Sequence, residues 1–468
     1  MVHFSVTRDN GARRGLLSLA DLSVLIDAGE IDTVLAVFPD MYGRLMGKRI
    51  TGEFFRDQVA GDGYHACDYL LACDMEMDPV PGYSFTSWET GYSDFHLRCD
   101  MPTLRRASWL PNTALVMCDV LRDHQPVSIS PRQMLRNQLA RAGELGYVVM
   151  GGSEIELYVF DETYESASDK RYHDLRTAGR YVEDYHILQG TKEEALIGAI
   201  RRNLEDSGIP VEFSKGEWGP GQQEINLRYS EALEQADANV IYKHAAKEIA
   251  AAQGKAVTFM AKWDEKLAGS SMHIHISLCD AQSGRNLFPG NQSIGPVQAS
   301  DEFRWFLGGW MAAAYEMTAC YAPSVNSYKR FQEGSFAPTG LAWSYDNRTA
   351  GFRVVGSGPS LRIECRIPGA DANPYIAYAA IIGAGLNGIT NKVEPPQIFQ
   401  GDIYSAGDLP RVPKTLGEAT TAFETSELAL SAFGQDVVDH YLHFLRTEQR
   451  KFDEVVTCWE RNRFFERA

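Results

Sequence analysis

The sequence predicts an α+β fold in two domains, and three observations carry that expectation. The chain has 468 residues, more than one small core can organise. Strand-like and helix-like segments alternate along most of it without a fixed repeat. A Pro-bounded segment, SISPRQMLRNQLARAGELGY, opens a helix after a short α+β start and divides the chain into residues 1–125 and 126–468.

In the first part, LSLADLSVLIDAGEI reads as a helix, and IDTVLAVFPDMYGRLMGKRI as a hairpin turned at Met41-Tyr42-Gly43. Between Asp62 and Asp94 lie seven acidic residues, several aromatics and the break PVPGY. No periodicity persists there, which predicts a long, ordered, functional loop. In the second part, GYVVMGGSEIELYVF is a strand, EEALIGAIRRNLEDSGI a helix, and VEFSKGEWGPGQQEINLRY strand-like again. ALEQADANVIYKHAAKEIAAAQGK is the longest helical pattern. Strand MHIHISL, an apolar helix FRWFLGGWMAAAYEMTACY, a loop region SVNSYKRFQEGSFAPTG and strand SLRIECRI follow, and helices through VVDHYLHFLRTEQRKFDEVV close the chain.

Composition narrows the function. Hydrophobic residues at 44% and charged residues at 23% are the balance of an ordinary globular protein. A net charge of −17, without a long basic run, argues against nucleic acid as a partner. The start MVHFSVTRDNGARRGLL lacks the apolar stretch of a signal peptide, and no segment is long enough to span a bilayer, so a cytoplasmic protein with no membrane association is expected. The eight cysteines are scattered with no C-x-x-C pair, so reduced, mostly buried thiols are expected, without a zinc or disulfide framework.

The chemistry lies in alternation. In a strand, Glu154 and Glu156 point one way while Ile155, Leu157 and Val159 point the other. One such pair is more often a solvated sheet face. Here the pattern recurs: His273 and His275; Arg362, Glu364 and Arg366; Glu224, Asn226 and Arg228. Four strands rich in Glu, His and Arg point to one sheet whose polar face lines a concave site. Carboxylates that close repel one another unless cations neutralise them. Glutamates with imidazole and no thiolate suit Mg2+ or Mn2+ better than zinc, and Mg2+ commonly completes its shell with phosphate oxygens. Arginines at 330, 348, 353, 362 and 366 would complement a nucleotide triphosphate and a carboxylate substrate. The P-loop pattern is absent, so any ATP is held in another way.

The motifs SEIELYVF, EWGPGQQEINLRY, GSSMHIHIS, NSYKR and SLRIECRIPG together resemble the glutamine synthetase family in type, order and spacing, from about residue 30 to the end. The resemblance implies a small N-terminal β-grasp domain with its leading helix (1–125) and a large glutamine synthetase-type α/β catalytic domain (126–468). It implies a double metal site, with Glu156, Glu217 and Glu224 on one ion and Glu154, His273 and Glu364 on the other. It makes Glu212, His275, Ser277, Arg348, Arg353 and Arg362 similar to residues that hold ATP, the co-substrate, and Gly269, Arg330 and Arg366 similar to those that hold glutamate. It also implies a homo-oligomer, commonly a dodecamer, in which a neighbour's small domain closes each site. The implied reaction passes through γ-glutamyl phosphate, which a nitrogen nucleophile then attacks.

The sequence departs from ammonia-using members in two places. The FDGSS-type segment is replaced by YHACDYLLACDMEMDPVPGYSFTSWETGYSD, and Phe336, in EGSFAP, stands where the flap glutamate of PGYEAP falls. An apolar ring there, near Trp88 or Trp343, leaves room for a carbon-bearing amine. These features resemble the glutamate–amine ligase branch, whose nucleophiles are polyamines, ethanolamine or simple alkyl and aryl amines. An ammonia-dependent synthetase, with Glu333 serving as the acid, and a non-catalytic scaffold are the alternatives. Trp263 and Ala268 also differ from the family's usual Pro and Asn, and the loop around Tyr404 differs from the adenylylated loop of some relatives.

Overall fold

A computed structural model describes residues 13–468, so the reading of the opening residues as lacking an apolar leader falls mostly outside the described residues. The first helix, Leu19–Asp27, is closed at its N-terminus by a reciprocal Ser18–Asp21 capping box. Strands Thr33–Pro39 and Leu45–Thr51 form the expected hairpin, with Pro39 opposite Leu45. Its turn is organised by Asp40, whose Oδ1 accepts from the backbone N–H of Tyr42 (3.0 Å) and Arg44 (2.8 Å). Thr33–Pro39 then pairs in parallel with Thr113–Arg122, which continues into Asp94–Cys99 and Tyr64–Cys67.

The stretch from Asp62 to Asp94 is therefore not all loop. It contains the short strand Tyr64–Cys67 and a single turn at Asp68–Leu71. Two of its acids are structural: buried Asp68 bonds Thr86 and Arg122, and buried Asp74 bonds Lys451. The others, including Glu76, Asp78 and Glu89, are exposed.

Among the described residues the second sheet has eight strands, and its centre is the 14-residue strand Tyr147–Phe160. On one side lie Gln222–Glu231 and Val211–Gly216; on the other lie Met272–Asp280, Arg362–Cys365, Phe352–Val355 and Trp343–Tyr345. All pairings are antiparallel except the last. The apolar face explains the fold: Ile155, Leu157, Val159, Ile225, Met272, Ile274 and Ile363 are fully buried, covered by helices that include Pro131–Glu144, Ala232–Ala252 and Pro374–Asn391. The apolar helix expected over FRWFLGGWMAAAYEMTACY is broken into Asp301–Ala313 and Thr318–Tyr321. There the Thr318 hydroxyl donates to the Ala314 carbonyl at 2.7 Å, a local bond of the kind that competes with helix continuation.

Both sheets share one contiguous apolar core. Buried Arg132, on the helix that Pro131 opens, ties them with charge: it donates to Asp100 (2.7 Å) and Asp119 of the first sheet's strands and their ends, and to Asp237 (2.7 and 2.9 Å) on the long helix. Asn373 Nδ2 adds bonds of 3.1 Å to the carbonyls of Asp40 and Met41. The cysteines are free, with Cys73, Cys118, Cys320 and Cys365 buried and Cys458 exposed. Among the described residues no helix is long and apolar enough to cross a membrane.

Candidate active site

Strand register assembles the site. Glu224 lies opposite Glu156, Asn226 and His273 both flank Glu154, and His275 and Arg353 both flank Glu364. The polar residues expected to share a face are thus cross-strand neighbours, within reach of one another.

Glu156, Glu217 and Glu224 offer carboxylate oxygens that lie within 4.8 Å of one another, the trio expected for one ion. Glu156 is held by the Ser271 backbone N–H at 2.7 Å and by Gln222 Nε2 at 3.3 Å. Burial, and next to it the charge of Glu217, pushes its carboxyl up to about 8. Burial, with Glu154 and Glu217 beside it, pushes Glu224 up as well. Like charges about 4 Å apart repel by about 4 kcal/mol at a protein-like dielectric, so this trio favours an added cation. Lys215, two residues before Glu217 and opposite Glu224, bonds Glu217 and offsets part of the charge.

Of the second expected group, His273 Nδ1 lies 3.2 Å from Glu154 Oε2 and 3.8 Å from Glu364 Oε1, but the mutually close ligand atoms around His273 are those of Glu154 and Glu224. His275 Nε2 lies 2.9 Å from Glu154 Oε1, and it is His275, in place of His273, that joins Glu154 and Glu364 in a trio of mutually close ligand atoms. Burial, then Arg366, lowers His273 to about 4, so its imidazole is neutral, as a metal ligand requires. Glu364 accepts from Arg353 (2.7 Å) and Arg366 (2.5 Å); burial works against its charge, but Arg366, with His275 and His273 beside it, holds it down at about 2. The donor set is all oxygen and imidazole, and Asn226 Oδ1, beside Glu154 and Glu224, is a buried acceptor without a partner among the described residues. That set fits a hard divalent cation.

Arg330 is buried near Glu156, and burial lowers its guanidinium to about 10. It donates to the carbonyls of Ile367 and, at 3.4 Å, Arg366. The Nε atoms of Arg330 and Arg366 are buried donors with no partner among the described residues, available to an anionic substrate. Gly269 is needed for this arrangement, since a Cβ there would stand 2.4 Å from Arg330 Cγ.

Of the residues likened to ATP contacts, His275, Ser277, Arg353 and Arg362 are on or beside this face; Arg362 Nε lies 3.2 Å from His275 Nδ1. Arg348 sits exposed in the turn between Tyr345 and Phe352. Glu212 occupies the bulge where Asn226 pairs with Phe213 but Leu227 with Val211; it is exposed and lines a surface cavity of about 460 Å³ with Arg14, Arg201, Arg202 and Phe213. Tyr158 anchors the departing loop, its hydroxyl donating to the Ala268 carbonyl at 2.8 Å and its ring packing on Trp263.

The flap differs from the expected aromatic grouping. Phe336 meets Trp218, with ring centroids 6.2 Å apart. Trp343 is buried, its indole N–H given to the Pro396 carbonyl at 2.7 Å, and Trp88 packs on Tyr92. Glu333 faces Arg411 at 3.6 Å. Tyr404, in the loop expected to differ from the adenylylated one, donates its hydroxyl to the Ala337 carbonyl at 2.9 Å, next to Phe336.

Known proteins resemble this chain over nearly its whole length. The family model for the glutamine synthetase catalytic domain matches residues 128–464. The chain is 48% identical over 452 residues to a gamma-glutamylethanolamide synthetase (GlnA4) of Streptomyces coelicolor, covering 96% of each. It is 36% identical over 445 residues to a glutamate–isopropylamine ligase of a Pseudomonas species, covering 94% of this chain and 96% of that one. A solved GmaS/ADP complex superposes with a TM-score of 0.83 at 27% identity, covering 95% of this chain and 99% of that one. With its carboxylate-lined sheet face and this breadth of similarity, the chain belongs to the glutamine synthetase family.

Proposed function

We propose that this protein is an ATP-dependent carbon–nitrogen ligase that joins the γ-carboxylate of L-glutamate to a small primary amine. The observation that carries the reading is the convergence of Glu154, Glu156, Glu217, Glu224, His273 and Glu364 on one sheet face, flanked by Arg330 and Arg366. The relatives named for an ethanolamide product and for isopropylamine support an amine in place of ammonium, as does Phe336 at the flap.

In this reading Glu156, Glu217 and Glu224 hold one Mg2+ or Mn2+, and Glu154, His273 and Glu364 a second. The ions, when bound, supply positive charge to the transferring phosphoryl oxygens. Arg330 and Arg366 grip glutamate, Gly269 leaving space for Arg330. His275, Ser277, Arg353 and Arg362, with Glu212 and Arg348 farther out, serve ATP. The glutamate γ-carboxylate oxygen attacks the γ-phosphorus, ADP leaves, the amine lone pair attacks the carbonyl carbon of γ-glutamyl phosphate, and phosphate and a proton are released. Positioning the two reactants is the larger part of the protein's task.

Residues 1–125 and 126–468 act as the small and catalytic domains, and the chain works as a homo-oligomer. The exposed apolar residues Val455, Val456, Trp459, Phe464 and Phe465 near the C-terminus support association. A cytoplasmic location fits reactants such as ATP and glutamate.

The test is phosphate release from ATP with Mg2+ and glutamate, comparing ammonium with ethanolamine, isopropylamine, methylamine, putrescine, spermine and aniline. Turnover with a small amine far above that with ammonium is expected; turnover with ammonium alone would make this a glutamine synthetase.

A further inference from the structure

We infer that Trp218 and Phe336 form a single apolar wall against which the carbon chain of the nucleophile rests, and that Trp218 sets the preference among amines; this rests on the ligase reading above. Trp218 directly follows Glu217, and its backbone N–H lies 3.3 Å from Glu217 Oε2, so the backbone that carries the indole is tied to the carboxylate trio. The turn that carries it has little freedom. Gly219 N–H donates to Gln222 Oε1 at 2.9 Å, and a Cβ on Gly219 would fall 1.9 Å from the Tyr158 hydroxyl.

Across from it, Phe336 has a φ of 58°, in the left-handed region that a bulky residue rarely adopts. Such strain persists where surrounding structure enforces it, commonly at ligand clamps. Here the enforcement is visible: Ala337 is buried, and its carbonyl accepts the Tyr404 hydroxyl at 2.9 Å. Yet the two rings so carefully held are 55% and 48% exposed. Two large aromatics kept in water by a strained, pinned backbone leave apolar surface that a ligand can cover.

Their geometry states which ligand. Centroids 6.2 Å apart at an interplanar angle of 65° are in edge contact, so they make a continuous wall and not a slot that a flat ring could enter. Short alkyl chains gain from such a wall in proportion to the carbons they lay on it, whereas ammonium gains nothing. Each methylene covered is worth about a fourfold gain in kcat/KM.

The experiment measures kcat/KM for ammonium, methylamine, ethylamine and propylamine in the wild type, Trp218→Val, Trp218→Phe and Phe336→Leu, with the KM of glutamate as the control. The wild type is expected to gain about fourfold per carbon. Trp218→Val is expected to reduce the gain to under about twofold per carbon, a slope read within each variant and so independent of any change in its overall rate; Trp218→Phe restores most of it, and Phe336→Leu weakens it. A wild-type gain per carbon retained in both Trp218→Val and Phe336→Leu would overturn the wall while leaving the ligase reading intact. A wild type that uses ammonium alone would overturn both.

Discussion

Glu154 and His273 stand directly opposite one another on adjacent antiparallel strands, with His273 Nδ1 3.2 Å from Glu154 Oε2. Because side chains alternate with a period of two, a slip of one strand by one residue would turn its site residue into the helical layer and its apolar neighbours into the site. The buried Ile155, Met272 and Ile274 hold the register, so packing on one face dictates the chemistry of the other.

The carboxylate trio has a measurable pH signature. Glu156 is raised to about 8 in the fold against an ordinary value near 4.5, so between those pH values the folded state holds a proton that the unfolded state has lost. Stability without divalent ion therefore falls as pH rises from about 5 to 8, by at most about 1.4 kcal/mol per unit from this group. Thermal unfolding of wild type and Glu156→Gln across that range checks the sign: the variant's Tm should fall less. Added Mg2+ should raise the wild-type Tm most at high pH and that of the variant little.

Glu156→Gln should also lose amine-dependent phosphate release by about a hundredfold or more, because the amide cannot supply a charged ligand. Normal turnover in that variant would remove Glu156 from the metal site.

Phe336→Glu places an acid at the flap beside Trp218. The ratio of ammonium to amine turnover should rise by about tenfold or more, an acid being able to bind ammonium and accept its proton. An unchanged ratio would show that the flap does not choose the nucleophile.

Tyr404→Phe removes one hydrogen bond, to the Ala337 carbonyl. At about 1 kcal/mol, kcat/KM for the amine should fall about fivefold while the KM for ATP stays put. Equal losses for every substrate would point to a general structural role.

Arg132→Met leaves Asp237, Asp100 and Asp119 without their shared guanidinium. Removing one partner of a buried charge cluster costs about 3–5 kcal/mol, read as a lower urea midpoint at unchanged slope.

Period-two alternation made SEIELYVF, MHIHIS and LRIEC legible as polar faces, and the structure joins those faces in one sheet. The order of the strands was not legible, because local periodicity says nothing about which strands are neighbours. The same limit explains the flap. The sequence puts Trp343 near the flap, but its ring is buried in the core, whereas Trp218 lies in a turn where no alternation marks its direction. Lys215 could have been found, since it sits two residues before Glu217 and so shares its side of the chain. Glu212 sits in a β-bulge, where counting by twos fails.

The central claim is that glutamate is activated by phosphorylation and captured by an amine. Glutamate labelled with oxygen-18 in its γ-carboxylate, incubated with ATP, Mg2+ and ethanolamine, tests it directly by mass spectrometry of phosphate and amide. One labelled oxygen in each phosphate released and one retained in the γ-glutamyl amide is the predicted result. Unlabelled phosphate, or labelled phosphate with glutamine formed only when ammonium is supplied and no amide of ethanolamine or another small amine, would contradict it.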